Sequence, residues 1–308
     1  AVREGNNLYG SKGFQNMVEK FGEIPKVDLN GTVSCITGAN SGIGFETAKK
    51  LAQFQSEVHL VCRDPVKGQE AVEKIKACTE NDKIFLHIVD VSSMRQVSAF
   101  AETFAQENSK LDVLVNNAMS MPAERLETEE GNEMCIGTTA AQTYLLTTKL
   151  MPLLQKSSPG RVINVSSAGM YTVKARIDDL NSENIPYDGV LMYALAKRVQ
   201  VILTEMMAED YKGKSVTINS MHPGWVDTPG LATQMPSFYS SHKGTLRSME
   251  AGADTIVWLA TSPGVKDKSG MFWFDRKARA TNFRFARTDC SNVQRQLLME
   301  GIKSMCGV

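Results

Sequence analysis

The sequence carries no excess of either charge: 308 residues hold 34 Lys and Arg against 34 Asp and Glu. A chain balanced in this way has no basic field to attract nucleic acid or an acidic membrane as its main partner. Cysteine is sparse. Six residues, Cys35, Cys62, Cys78, Cys135, Cys290 and Cys306, are scattered without a CxxC pair, several of them in apolar runs. They read as buried free thiols of a reducing, intracellular compartment, with the cytoplasm favoured and an organelle or peripheral membrane association left open. Long apolar runs are missing as well. The longest is seven residues, Val190 to Ala196, against the roughly 20 that span a bilayer, so no transmembrane segment is expected. The N-terminus lacks the apolar core of a secretory signal, and its Ala1 fits removal of an initiator methionine or processing elsewhere. Histidine is rarer still: His59, His87, His222 and His242 lack ligand spacing, and no metal is expected.

What the sequence does contain is a regular alternation. Short β-branched or apolar runs at 33–37, 57–62, 84–89, 113–115, 161–165 and 216–220 are separated by helical segments opening near Gly42, Val66, Met94, Glu130, Val190 and Arg247. Strands alternating with helices imply a central parallel sheet with helices on both faces. With no linker or repeat inside the series, the expectation is one doubly wound, Rossmann-type α/β domain over 31–275. Residues 1–30 form an N-terminal extension in which Phe14, Met17, Val18 and Phe21 recur at helical spacing between Gly13 and Gly22. The short amphipathic helix they predict either packs on the main domain or docks on a partner or a membrane surface. Met271 to Phe274 read as the last strand. Beyond it, residues 276–308 form a tail whose Arg276, Lys277, Arg279, Arg284 and Arg287 suggest a solvated or partner-facing extension.

The first strand runs into Thr37-Gly38-Ala39-Asn40-Ser41-Gly42-Ile43-Gly44 and then directly into a helix. Glycines at such a crossing permit a tight turn and the close approach of a pyrophosphate, held by backbone N–H groups and the helix N-terminus. The second strand ends at Cys62-Arg63-Asp64. An acidic residue at this strand end receives ribose hydroxyls in NAD sites, whereas an arginine pairs with a 2′-phosphate. Arg63 therefore favours NADP(H) over NAD(H), the alternatives being that it only caps a surface turn or that Asp64 competes for its charge. At the next strand ends, Asp90-Val91 offers a carboxylate to an adenine amino group or to the following helix, and Asn116-Asn117-Ala118-Met119 offers amides that tie neighbouring strands together. The fifth strand ends at Ser166-Ser167. Tyr193 and Lys197 lie one turn apart on one face of a helix, where an ammonium is expected to lower the phenol's pKa and let the pair pass a proton near neutral pH.

In this order, TGANSGIG, the strand-end Asp90, NNA, a VSS serine and YxxxK resemble the short-chain dehydrogenase/reductase superfamily, and residues from about 30 to 275 follow its pattern. Within it, LHIVDVSS, SMHPGWVDTPG and GADTIVWLA look like the family-member-12 group, whose relatives include retinol-dehydrogenase-like reductases of lipophilic alcohols. The resemblance implies Tyr193 as general acid/base, Lys197 as the group that tunes it and holds the nicotinamide ribose, and Ser167 as the group that orients the substrate carbonyl. It implies Gly38, Ala39, Asn40, Ser41, Gly42, Ile43 and Gly44 at the pyrophosphate and Asp90 and Val91 at the adenine. Asn117 and Ala118 would lie at the nearby ribose, and Pro223, Gly224, Val226 and Thr228 over the nicotinamide, with Thr228 reaching its phosphates or carboxamide.

Two positions depart from the family pattern: Thr139 replaces an asparagine that supports a water relay to the lysine, and Met119 replaces the glycine of NNAG. The expected function is hydride transfer between NADP(H) and a lipophilic carbonyl or alcohol. The alternative is a catalytically impaired subunit with a structural or assembly role in a larger complex, with or without bound nucleotide. A mouth built from segments 169–190 and 235–245, with Met170, Tyr171, Trp225, Phe238 and Tyr239, favours a bulky apolar substrate unless these residues only pack a lid. His222 is expected to orient backbone. The helices opening near Glu130 and Val190 match the pair family members commonly use to dimerise, so a homodimer, or a place in a larger assembly through the termini, is a further expectation.

Overall fold

The computed structural model describes the backbone of residues 2–282 and 288–308 and their side chains except those of residues 2–4 and 6. Arg284 and Arg287 of the expected tail lie outside the described residues. Two helices come first, α1 (Val2–Tyr9) and α2 (Ser11–Phe21). The alternation then unfolds as β1 (Val33–Thr37), α3 (Gly42–Gln53), β2 (Glu57–Cys62), α4 (Pro65–Thr79), β3 (Ile84–Ile88), α5 (Met94–Glu107) and β4 (Val113–Asn116). A single turn, α6 (Met134–Ile136), leads through a π-helical stretch at Gly137–Ala141 into α7 (Gln142–Leu154), so the helix expected from Glu130 starts four residues later and is bulged. There follow β5 (Gly160–Val165), α8 (Gly189–Asp210), β6 (Val216–His222), α9 (Pro229–Gln234), α10 (Pro236–His242), α11 (Met249–Thr261), β7 (Phe272–Phe274), β8 (Lys277–Arg279) and α12 (Asn292–Cys306).

The eight strands form one sheet in the order β3-β2-β1-β4-β5-β6-β7-β8, parallel except for β8. Side-chain alternation along each strand divides the core between two faces. Cys35, Leu114, Val162 and Ile218 face a cluster built by α5, α7 and α8, while Ile36, Leu60, Val115 and Met221 face one built by α3, α4 and α11. The strand order reverses between β1 and β4, and open α/β sheets bind ligands at the carboxyl edge beside such a reversal. Register brings Thr37, Cys62, Asn116 and Val165 to that edge.

The C-terminal segment differs from expectation. Met271–Phe274 is not the last strand. Asp275 and Arg276 both have positive φ (51° and 56°), the geometry of a tight two-residue hairpin, and they reverse the chain into β8. Two buried ion pairs hold this strained turn: Asp275 with Arg247, and Arg276 with Asp254. Arg276 also donates to the Gly22 carbonyl at 2.9 Å, so it is neither solvated nor partner-facing, whereas Lys277 and Arg279 are exposed. Helix α12 opens on a Ser291–Gln294 capping box and closes on a left-handed Gly307. Its Leu298, Met299, Ile302 and Cys306 are buried in the α5/α7/α8 cluster, against the pair of helices expected to serve a dimer. At the other end the extension packs on the domain: Met17 is buried, while Leu8 and Phe21 stay half exposed. No helix among the described residues is long and apolar enough to cross a membrane.

Candidate active site

The glycine loop is shaped by what surrounds it. Gly38 and Gly42 have φ of 66° and 60°, a region that side chains disfavour. A Cβ at Gly38 would stand 3.0 Å from Ala118 Cα, and one at Gly44 would stand 2.4 Å from the Gly38 carbonyl oxygen and 2.6 Å from Asn117 Nδ2. Asn117 explains the crowding. Its amide donates to the Thr37 and Gly38 carbonyls at 3.0 and 3.3 Å, while Thr37 Oγ1 accepts from the Asn117 and Ala118 N–H groups at 3.0 Å each. The strand-end amides thus bind the loop to β4, and Asn116 binds β5 through Asn164 at 2.9 Å. Ser41 precedes α3 without capping it, so the first N–H groups of a 12-residue helix remain for an anion at the loop. This cradle, tight where only glycine fits and rich in backbone donors, suits a dinucleotide pyrophosphate.

A cavity of about 660 Å³ runs from the loop along the sheet edge. Of the residues assigned from the sequence to catalysis or to the cofactor, all but two line it. Gly38, Asn40, Ser41, Gly42 and Ile43 form one end; Arg63, Asp90, Val91, Asn117 and Ala118 flank it; Ser167, Tyr193, Lys197, Pro223, Gly224, Val226 and Thr228 form the other. The exceptions are Ala39 and Gly44, both buried behind the loop.

At the adenine end, the Asp64 carboxylate is committed to capping α4, accepting from Val66 and Lys67 N–H at 3.0 and 3.1 Å, and these bonds hold its pKa down. Arg63 is left exposed in the cavity wall, with Asp90 Oδ2 3.7 Å from its guanidinium. The other Asp90 oxygen accepts from Ser92.

At the opposite end Lys197 is buried, and its ammonium donates to the Val165 carbonyl at 2.6 Å, 5.8 Å from the Tyr193 ring centre. Ser166 Oγ donates to the Lys197 carbonyl at 3.1 Å, and Ser167 Oγ accepts from Gly169 N–H at 3.1 Å and lies beside the Tyr193 hydroxyl. Burial dominates the acid–base balance. It pushes the Tyr193 pKa up from its ordinary value, against the neighbouring Ser167 hydroxyl that pulls it down, and it lowers Lys197 from 10.5 to about 7. The expectation that a neighbouring ammonium depresses the phenol is therefore not met. Desolvation of both groups outweighs their spacing, and the lysine moves instead.

Thr139 sits in the π-helical stretch, fully buried, with Oγ1 lacking a partner among the described residues; such bulges frequently mark functional positions. Met119 lines the cavity and packs against the α5/α7/α8 cluster. Thr228 Oγ1 caps α9, accepting from Leu231 N–H at 3.1 Å, and its methyl faces Gly42, so it bridges the two ends of the cavity.

The mouth is only partly as expected. Trp225 and Phe238 line it, their rings crossed at 90° and 5.1 Å. Met170 is instead fully buried beside Val201 and Phe272, Tyr171 donates to the Ala280 carbonyl, and Tyr239 turns to Asp227. The segment 235–245 expected at the mouth contains α10. Val190 and Met235, at the ends of the two segments expected there, line it as well, whereas Gln234 and Thr138 join the lining and were missed, neither carrying a sequence signal. His222 does not orient backbone, since both ring nitrogens are buried without a partner among the described residues. Burial and the nearby Arg247 guanidinium push its pKa down to about 3.

The short chain dehydrogenase profile matches residues 32–237. The chain is similar to human dehydrogenase/reductase SDR family member 12, with 40% identity over 306 residues that cover 98% of this chain and 95% of the relative. It is similar to mouse retinol dehydrogenase 11, with 35% identity over 251 residues that cover 81% and 79% of the two chains. In fold it is similar to a crystal structure of an uncharacterised protein from Mycobacterium paratuberculosis, with TM-score 0.72 and 23% identity over 92% of this chain and 96% of that one. Motif order, sheet topology and these likenesses agree: the chain belongs to the short-chain dehydrogenase/reductase family of nicotinamide-dinucleotide oxidoreductases.

Proposed function

We propose that the protein is an NADP(H)-dependent oxidoreductase that interconverts a lipophilic carbonyl compound and its alcohol. The observation that carries this reading is that Ser167, Tyr193 and Lys197 line the same cavity as the glycine loop, with Arg63 at its far end. Bound nicotinamide supplies or accepts the hydride. In the reducing direction the Tyr193 hydroxyl donates its proton to the carbonyl oxygen, and the Ser167 hydroxyl, beside that phenol, holds the oxygen in place. Lys197, with a pKa of about 7, is poised to return a proton to the tyrosine side at neutral pH. The apolar mouth of Trp225, Phe238 and Met235 favours a lipophilic substrate, in keeping with the retinol dehydrogenase relatives.

The test is consumption of NADPH by purified protein against a panel of retinoids, long-chain aldehydes and ketones, with Tyr193→Phe as control. Turnover that this substitution abolishes is expected. Tight NADPH binding with no Tyr193-dependent turnover across the panel would instead indicate the non-catalytic subunit.

A further inference from the structure

The N-terminal extension is built into the wall behind the loop at 223–228. Arg247 connects them. It is 1% exposed, and its guanidinium is fully engaged: Nη1 and Nη2 donate to Asp275 at 2.6 and 3.0 Å, Nε to the Tyr9 and Gly10 carbonyls at 2.7 and 3.2 Å, and Nη2 also to Leu8 at 2.9 Å. Those three carbonyls end α1. The last carbonyls of a helix lack partners and form the negative end of its dipole, so a forked cation is the group that satisfies them.

The same arginine presses on the loop. Gly224, at φ 89°, lies so close that a Cβ there would stand 2.4 Å from Arg247 Nε. Residues 225–227 run beside Arg247 like a strand: Arg247 N–H donates to the Trp225 carbonyl at 2.7 Å, and Asp227 N–H to the Arg247 carbonyl at 2.9 Å. Trp225 N–H donates to the Tyr9 carbonyl at 2.9 Å. The Tyr9 ring completes the join, with its centre 5.2 Å from His222, 5.5 Å from Trp225 and 5.2 Å from Phe274. Gly5 lies against the Trp225 indole, where a Cβ would meet it at 2.6 Å.

We infer that the extension is a brace for the nicotinamide half of the site, with Arg247 and Tyr9 as its positioning residues. This rests on the reading that residues 223–228 close over the nicotinamide. Neither residue lines the cavity. They act by holding the loop in its binding shape before the nucleotide arrives, so loosening them lowers the competent fraction and raises the apparent Kd in proportion. The adenine half, bound by the glycine loop and Arg63, is anchored independently of them.

Two probes separate the halves: NADPH, and 2′,5′-ADP, which carries the adenine and 2′-phosphate but no nicotinamide. In the full-length chain, Tyr9→Ala and Arg247→Met are expected to weaken NADPH about tenfold while leaving 2′,5′-ADP unchanged. Tyr9→Phe, which keeps the ring, retains wild-type affinity for both. Arg247→Met also leaves Asp275 without its partner; where it fails to fold, Tyr9→Ala, which spares that ion pair, decides the question. Equal weakening of both probes by Tyr9→Ala, or no change in either, overturns the brace. Wild-type protein that binds neither probe overturns the cofactor reading and the brace with it.

Discussion

The proposed preference for a 2′-phosphate turns on Arg63, and its size can be worked out from the strand end. The side chain is 75% exposed, so its charge is heavily screened. A unit charge pair at about 4 Å is worth roughly 1 kcal/mol in water and about 4 kcal/mol at a typical protein surface. Asp90 already answers part of the charge from 3.7 Å, which favours the lower half of that range. About 2 kcal/mol follows, or roughly 30-fold in Kd. Arg63→Gln should therefore weaken NADPH roughly 30-fold in a fluorescence titration at low ionic strength, with the factor shrinking as salt is added. NADH has no 2′-phosphate for the guanidinium to meet, so its Kd should stay within about threefold. The variant should not gain NADH affinity either, because the Asp64 carboxylate remains occupied by the Val66 and Lys67 N–H groups. NADPH weakened by less than about threefold, or NADH weakened in parallel, would refute the assignment of Arg63 to the phosphate.

Three further outcomes follow from buried groups. Lys197 has a folded pKa of about 7, below its ordinary 10.5, so the cost of burying its ammonium is fully present below about pH 7 and fades as pH rises toward the unfolded value. Lys197→Met should raise the Tm of the nucleotide-free protein more at pH 6.5 than at pH 9.5, and an equal gain at both would show that the lysine is not buried in this way. Thr139→Val removes a buried hydroxyl without a partner among the described residues; it should add about 1 kcal/mol to stability in urea and lower kcat, whereas a stability gain with unchanged kcat denies the hydroxyl a relay role. Ile302→Ala, in the fully buried face of α12, should cost about 2–5 kcal/mol, and a loss under about 1 kcal/mol would separate this helix from the core.

The parts legible from sequence are those whose reason is local. The TGANSGIG loop announces itself because positive φ at Gly38 and Gly42 and the crowding at Gly44 admit no side chain, and the strands announce themselves by apolar runs buried on both faces. Tyr193, Ser167 and Arg63 could be placed because strand ends in a parallel sheet share one edge. Where sequence reasoning failed, the cause is long-range. β8 is three exposed residues, Lys-Ala-Arg, with no apolar pattern, and its existence depends on two non-glycine residues held at positive φ by ion pairs with Arg247 and Asp254. The arginines around it suggested solvent, yet Arg276 is buried by a carboxylate 22 residues away. The direction of the Tyr193 shift was misjudged because helical spacing reports proximity to Lys197 and says nothing of desolvation.

Arg247 is the sharpest case. Its partners Leu8, Tyr9 and Gly10 lie almost 240 residues earlier, and it meets them through carbonyl oxygens, which every residue type has. No side-chain pattern in the extension can advertise such a contact. What the sequence does show there, an amphipathic helix with Met17 on its apolar face, marks where α2 rests on the domain and leaves out why α1 lies where it does. The position of α1 is set by a cation that must neutralise Asp275, support a glycine at positive φ and lie beside the loop at the site. A helix terminus meets all three demands because it brings several unpaired carbonyls to one point, and a flexible loop would first have to be ordered to do the same.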